Sequence, residues 1–369
     1  MSTFAVVTGG GTAGHVLPAL AVADGLVAAG YEPSQIRYMG ARRGIETRLL
    51  PPTEYPSTFL DVVGFQRSLS RRNIVMNLQF VPRMWRARRE AMRMFRADRP
   101  AVVVSVGGYA SMPAVFAARR LEIPIVVVSF DLIPGRASRL AAKHAAACAV
   151  AFPDSSLPNA ILTGAPVRQA VLAVDRTADR DVARAALGLP TDRFVVAVMG
   201  GSQGSGVLND AVDRLLDASS GDSTLAIRHA VGDRFVHSAR PATDGSEGVL
   251  YQPVGYESDM PAVYAAADLL IGRGGASTAH EVAVTGVPAI LVPWAESADD
   301  HQTLNVRWLS DPGAAICLAE PELGDLPAVI ARLRASPDEL GDLSRAAKSM
   351  GEVHRSGALA GLVVQIALA

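Results

Sequence analysis

Short apolar runs alternate with stretches of helical period along most of this chain of 369 residues. Residues 4–8 predict a strand and 16–29 a helix that stops at Gly30, after which 36–39 predict a second strand. Runs at 101–105, 123–128, 147–151 and 161–163 read as further strands, with helices over 111–119 and from Pro134 to about His144. The pattern then restarts. A strand at 194–199 leads into a glycine loop and a helix over 207–216, and strands follow at 226–229, 249–252, 266–271 and 289–292. A helix after Ser258 and a last one over about 353–368 complete the order. Strands that are apolar throughout, alternating with helices, predict an α/β protein with parallel doubly wound sheets. The restart predicts two of them: a first domain over 1–166, a second over 167–348, and a terminal helix within 349–369 that packs back on the first. A domain of about 150 residues is of ordinary size.

The turns after these strands carry the chemistry. In the stretch 273–293, RGGASTAHEVAVTGVPAILVP, Gly274 and Gly275 turn the chain, and a helix is expected to start at Ser277 and Thr278 and to end at Gly286. Strand, glycine turn and helix start bring backbone N–H groups and the positive end of a dipole to one point, an anion site lined by Gly275, Ala276, Ser277 and Thr278. Glu281, one turn further, offers a carboxylate to a ribose diol. The other reading is an ordinary βαβ unit with a polar first turn. Near the start, Gly9, Gly11 and Gly14 fit G-x-G-x-x-G, but the second strand is followed by Gly40-Ala41-Arg42-Arg43, with no acid there for a dinucleotide ribose. That argues against a dehydrogenase. What remains is a loop, Gly11-Thr12-Ala13, that lets a ligand approach the backbone, with His15 at the mouth of a helix. An imidazole there is a candidate general base, and a structural histidine is the alternative. Residues 200–204 repeat the glycine loop in the second domain, which predicts a ligand held between the two.

Composition narrows the class. Hydrophobic residues make up 49% and aromatics 5%, which suits stacked α/β layers, and a formal net charge of −1 gives no global attraction to nucleic acid. Cys148 and Cys317 stand in apolar runs without metal-type spacing and predict buried thiols of a reducing compartment. No secretion signal is expected at the start, and no run of about 18 apolar residues predicts a membrane span. Asp179-Arg180-Asp181 lies in a polar run ahead of a helix and reads as helix-start chemistry, so no metal site is expected. One stretch breaks the neutrality. From Arg67 to Arg99, ten arginines face two acids, Glu90 and Asp98. Either this is a pair of amphipathic helices with solvated arginines, or it is a basic, apolar-tipped patch that docks on an anionic membrane. In the second case Ile74, Val75, Leu78, Phe80 and Trp85 are the tips, and Arg83, Arg86 and Arg89 surround them.

With these motifs in view, the chain resembles, nearly end to end, the MurG family, the N-acetylglucosaminyltransferases of peptidoglycan synthesis. Gly10-Gly11-Thr12-Ala13-Gly14-His15 is similar to the family's GGTGGH loop, with Ala13 for a glycine. Residues 107–113 resemble its GGYxSxP turn, and 163–168 its GNPVR junction with Ala165 for asparagine. Residues 200–204 reproduce GGSQG, 273–281 resemble RSGAxTxxE with Gly274 for serine, and Gln302 to Asn305 fits Q-x-x-N. The resemblance implies the GT-B fold, two Rossmann-like domains facing a central cleft. It implies inverting transfer, without metal or cofactor, of N-acetylglucosamine from UDP to the C4 hydroxyl of a lipid-linked muramyl-pentapeptide. The enzyme would sit peripherally at the cytoplasmic face of the cell membrane, with no nucleic-acid partner. By the same resemblance Glu281 binds the ribose, Ser202 a phosphate, Arg168 the nucleotide and Gln302 the sugar hydroxyls, and backbone near Glu257 meets uracil. His15 is then the base, or a residue that orients the diphosphate.

One departure matters. Where the family usually carries HEQN before a Pro-Gly turn, this chain has Val128-Ser129-Phe130-Asp131 ahead of Pro134-Gly135. Asp131 replaces an asparagine that touches the donor sugar, and an ionised carboxylate accepts hydrogen bonds without donating. Asp131 is therefore an alternative base, or the mark of a different donor or acceptor (a glycolipid or a natural product), or of an inactive UDP-sugar-binding relative. His301, among the donor contacts, stands where a glutamine is common.

Overall fold

A computed structural model describes residues 2–11, 13–43, 45–64, 71–201, 203–297 and 300–369 and, apart from Ala13 and 71–79, their side chains. Thr12, Ser202 and the side chains of Ala13, Ile74, Val75 and Leu78 thus lie outside the described residues. The chain divides into two compact units, one of Met1–Gln169 with Ser356–Ala369, the other of Ala170–Arg355.

The first unit runs β1 (Ala5–Thr8), α1 (Ala13–Ala28), β2 (Ile36–Ala41), α2 (Glu46–Leu49), β3 (Ser57–Leu60), α3 (Arg71–Ala97) and β4 (Val102–Ser105). It continues with α4 (Met112–Arg120), β5 (Ile125–Ser129), α5 (Arg136–Ala142), β6 (Ala147–Val150) and β7 (Ala160–Leu162). The strands form a parallel sheet in the order β3-β2-β1-β4-β5-β6-β7. β1, β4 and β5 are buried at every residue, which is why their sequences are runs of Val and Ile instead of alternating patterns. The strand order reverses between β1 and β4, and Thr8 pairs level with Ser105. The loops after these two strands therefore emerge side by side at the carboxyl edge, where doubly wound sheets bind ligands.

The arginine-rich stretch forms one helix, α3, and not the expected pair: it runs straight through Pro82. A proline inside a helix removes a hydrogen bond and crowds the preceding turn. Here Ala87, Ala91 and Phe95 are buried and seat the second half of α3 on α4, which offsets that cost.

The second unit begins within α6 (Gln169–Leu172). It runs α7 (Arg180–Leu187), β8 (Phe194–Met199), α8 (Gly206–Ala218), β9 (Leu225–Ala230), β10 (Thr243–Asp244), β11 (Leu250–Val254), α9 (Met260–Ala266) and β12 (Leu269–Arg273). Then come α10 (Ala276–Thr285), β13 (Ala289–Val292), α11 (His301–Ser310), β14 (Ile316–Cys317), α12 (Leu326–Ala335) and α13 (Pro337–Arg355). Its sheet has the order β10-β11-β9-β8-β12-β13-β14, with β10 antiparallel and the other pairings parallel. The order again reverses at the first strand, between β8 and β12, with Met199 level with Gly272. Arg176 donates to the carbonyls of Tyr264, Ala267 and Gly286, tying the end of α9 to the end of α10. Cys148 is buried as expected, but Cys317 is exposed, because β14 is a two-residue edge strand.

The last helix, α14 (Ala358–Leu368), is shorter than expected. Gly357, left-handed at φ 70, separates it from α13, which continues to Arg355. It belongs to the first unit, lies against α1, and buries Leu362 and Val363.

Candidate active site

In the second unit, β12 delivers Arg273 to the foot of two loops. Its guanidinium donates to Ser205 Oγ at 2.6 Å, and Ser205 in turn caps α8 by accepting from Leu208 N at 3.3 Å. Gly204 is left-handed at φ +68, and a Cβ there would collide with the Val231 carbonyl, so the loops after β8 and β9 meet backbone to backbone. α10 begins at Ala276 with Gly275 as its cap, one residue ahead of the expected start. Ser277 and Thr278 lie in the first turn and neither caps it, and a glycine cap has no side chain to occupy the N–H groups. No capping side chain therefore covers the positive end of this helix. In the second turn, the buried Tyr264 donates its hydroxyl to Glu281 Oε2 at 2.6 Å, which fixes the half-buried carboxylate.

α11 supplies His301 and Gln302. Gln302 Oε1 accepts from Trp294 N at 3.0 Å, so the group it turns away from Trp294 is the donating NH2. Asn305 donates to the Gly274 carbonyl at 3.3 Å, and a Cβ on Gly274 would lie 2.5 Å from Val306 Cγ2. That close approach of α11 explains glycine where the family has serine. Glu257 accepts from Arg228 Nε at 2.7 Å and from Asp259 N at 3.0 Å. With its side chain so engaged, backbone is what this segment offers a ligand.

In the first unit, His15 stands in the first turn of α1, with its ring against Gly107. A Cβ on Gly107, at φ +96, would sit 3.2 Å from His15 Cδ2. Phe130 meets the imidazole edge-on, with centroids 6.4 Å apart. Burial holds the His15 pKa below its ordinary 6.5, so the ring is neutral at pH 7 and able to take a proton. Asp131 lines the same recess of about 180 Å³, together with Ser129, Arg136 and Ser138. The structure thus brings the two candidate bases together. Arg168 acts on Asp24 of α1: burial raises the Asp24 pKa, while the Tyr55 hydroxyl, at 2.5 Å, and the Arg168 charge counter it.

Residues 5–150 match the glycosyltransferase family 28 N-terminal domain and residues 195–357 its C-terminal domain. A UDP-N-acetylglucosamine--N-acetylmuramyl-(pentapeptide) pyrophosphoryl-undecaprenol N-acetylglucosamine transferase of Clavibacter michiganensis is 38% identical, with 98% of this chain and 96% of that protein covered. A protein of the same description from Mycobacterium ulcerans is 38% identical over 96% of this chain and 88% of its own. This chain belongs to the MurG family. The crystal structure of Acinetobacter baumannii MurG matches it with a TM-score of 0.71 at 25% identity, covering 99% of this chain and all, 100%, of that one. A UDP-GlcNAc 2-epimerase from Neisseria meningitidis, 13% identical with a TM-score of 0.63, shows the shared fold alone. The chain has the GT-B fold and is a glycosyltransferase.

Of the site residues expected from sequence, Gly275, Ala276, Ser277, Thr278, Glu281, His301 and Gln302 fall on the loops and the first turns of helices at one edge of the second sheet. Gly11 falls on the loop after β1, but its N–H is already bonded to Glu46 at 2.8 Å. Glu46 and Tyr264 are the residues that sequence reasoning missed. Glu46 stands five residues beyond Ala41, at the end of β2, and holds the chain's own glycine loop where a dinucleotide fold would use an acid for the ribose. On α3, Val81, Trp85, Arg86 and Arg89 are exposed together, with the Arg89 guanidinium 4.4 Å over the Trp85 ring. Phe80 and Arg83 are half-buried instead, and Arg83 pairs with Asp61 at 3.3 Å.

Proposed function

We propose that this MurG-family chain transfers N-acetylglucosamine from UDP-N-acetylglucosamine to the C4 hydroxyl of a lipid-linked muramyl-pentapeptide, inverting the anomeric centre. The observation that carries the reading is identity of 38% sustained over 98% of the chain with a transferase of that description. The donor would be held by the second unit, with its ribose on Glu281, its sugar hydroxyls on Gln302, its uracil at the backbone near Glu257, and its diphosphate at the start of α10. There the first-turn N–H groups and the helix dipole oppose the charge that grows on the leaving UDP, without a cation. The acceptor hydroxyl would give its proton to His15, neutral through burial, as its oxygen attacks the anomeric carbon from the face opposite UDP.

Asp131, in the same recess as His15, supports a second reading in which the carboxylate is the base or the acceptor differs. The exposed Val81, Trp85, Arg86 and Arg89 favour docking on an anionic membrane at its cytoplasmic face, where a lipid-linked acceptor resides. No helix among the described residues is long and apolar enough to cross a membrane. Incubation with labelled UDP-N-acetylglucosamine and the lipid-linked acceptor, with EDTA present, tests the proposal. An EDTA-resistant, anomerically inverted product is expected. Donor hydrolysis or binding without transfer to that acceptor would overturn it.

A further inference from the structure

We infer that Glu46 is a positioning residue that holds the first glycine loop, and through it His15, in place for proton transfer; the inference rests on the transferase reading above. Glu46 opens α2, and none of its surface, 0%, reaches solvent, so it touches no substrate. Its Oε1 accepts from Gly11 N at 2.8 Å and from Ala41 N at 3.2 Å. A Cβ on Gly10 would collide with this oxygen, and one on Gly40 would lie 3.2 Å from Glu46 Cγ, so glycines on both sides clear room for the carboxylate. The chain's own carboxylate therefore occupies the N–H that a bound phosphate takes in nucleotide-binding glycine loops.

Other contacts hold the same loop. The Tyr38 hydroxyl donates to the Gly9 carbonyl at 2.6 Å, and Gly108 packs so closely that a Cβ there would collide with the Gly10 carbonyl. Gly11 stands two residues ahead of Ala13, where α1 begins, so the anchored backbone of Gly9 to Gly11 lies next in sequence to the turn that carries His15 against Gly107. Glu46 Oε2 is buried without a hydrogen-bond partner among the described residues. An unsatisfied buried oxygen is a cost kept where geometry matters more than stability. Two glycines at positive φ, Gly10 and Gly11, would otherwise leave the loop loose. A misplacement of about 1 Å in a catalytic group costs up to roughly 100-fold in rate.

The test compares Glu46→Asp, which keeps the charge but is one methylene short, with Glu46→Gln, which keeps reach and an acceptor oxygen. Steady-state kinetics are read beside hydrogen exchange of the Gly11 and Ala41 amides. Glu46→Asp should lower kcat by roughly 10- to 100-fold with donor KM within about threefold, and should deprotect both amides. Glu46→Gln should stay near wild type in kcat and in exchange. Equal kcat in the two variants, a fall confined to KM, or amides that exchange alike in all three proteins would overturn the inference. A wild-type protein that transfers no sugar refutes the transferase reading instead, and the exchange comparison then decides the anchoring. Should Glu46→Asp not fold, loss of protection in Glu46→Gln overturns it.

Discussion

Removing the Glu281 carboxylate is the most direct probe of the donor site. The side chain is half-buried, one oxygen accepts from Tyr264 at 2.6 Å, and the proposal gives the carboxylate to the ribose diol. Glu281→Ala removes a charged acceptor, which costs roughly 1–3 kcal/mol. At 1.4 kcal/mol per tenfold, UDP should bind about 5- to 150-fold more weakly. Tyr264 is too buried to reach a ligand, so it acts only by aiming Glu281. Tyr264→Phe loses one hydrogen bond to the carboxylate, about 0.5–1.5 kcal/mol, and should weaken UDP roughly 2- to 12-fold. In the Glu281→Ala background the same replacement should add almost nothing, since nothing remains to aim. Isothermal titration with UDP on the two single variants and the double variant gives all three numbers. Thermal melts guard against the loss of a partner for the buried Tyr264 hydroxyl. Unchanged affinity in Glu281→Ala would remove Glu281 from the site, and additive effects in the double variant would refute the aiming role.

Three other outcomes follow from the same geometry. His15→Ala should lower kcat by about 10²–10⁴-fold while UDP affinity holds, and if Asp131→Asn abolishes turnover while His15→Ala does not, the base is Asp131. Burial and the neighbouring His280 push the His354 pKa down to about 3, against an ordinary 6.5. The folded state thus binds fewer protons than the unfolded one, so this contribution is complete above about pH 6.5 and is lost as pH falls toward 3, at up to about 1.4 kcal/mol per unit. Denaturant melts from pH 7 to 4 should show a shallower decline in His354→Asn, with part of the slope kept by His229, buried and depressed to about 4, and an unchanged slope refutes the assignment. Flotation with anionic vesicles should be weakened by salt and by Arg86→Glu with Arg89→Glu, each arginine contributing about 1 kcal/mol, and binding that ignores lipid charge would refute docking through α3.

What the sequence revealed follows the locality of the interactions. β1, β4 and β5 were legible because strands buried on both faces are apolar along nearly their whole length. The turn before α10 was legible because glycine at a strand end has a backbone meaning of its own. β3 and β10, with sequences STFL and TD, were not, since edge strands that are partly or wholly exposed are defined by the neighbour they pair with. The continuity of α3 through Pro82 and the exposure of Cys317 depend likewise on packing partners. Glu46 reaches Gly11 across 35 positions, and Tyr264 reaches Glu281 across 17, separations at which no spacing rule operates.

Those distant partners also separate two loops that the sequence presents as twins. Each follows the first strand of its sheet and stands where the strand order reverses. Beneath the first lies the Glu46 carboxylate, bonded to the loop's own N–H. At the foot of the second lies the Arg273 guanidinium, bonded to Ser205 where that loop ends. The Glu46 carboxylate opposes a diphosphate at the first loop, whereas the charge of the Arg273 guanidinium at the second is balanced by Glu320 at 2.6 Å. What the first loop gains from Glu46 is a fixed backbone, since the side chain takes the N–H groups of Gly11 and Ala41 while the His15 ring rests against Gly107. Two similar glycine motifs thus stand on different supports, a buried carboxylate under one and a guanidinium paired with Glu320 under the other, and neither support is written in the motif itself.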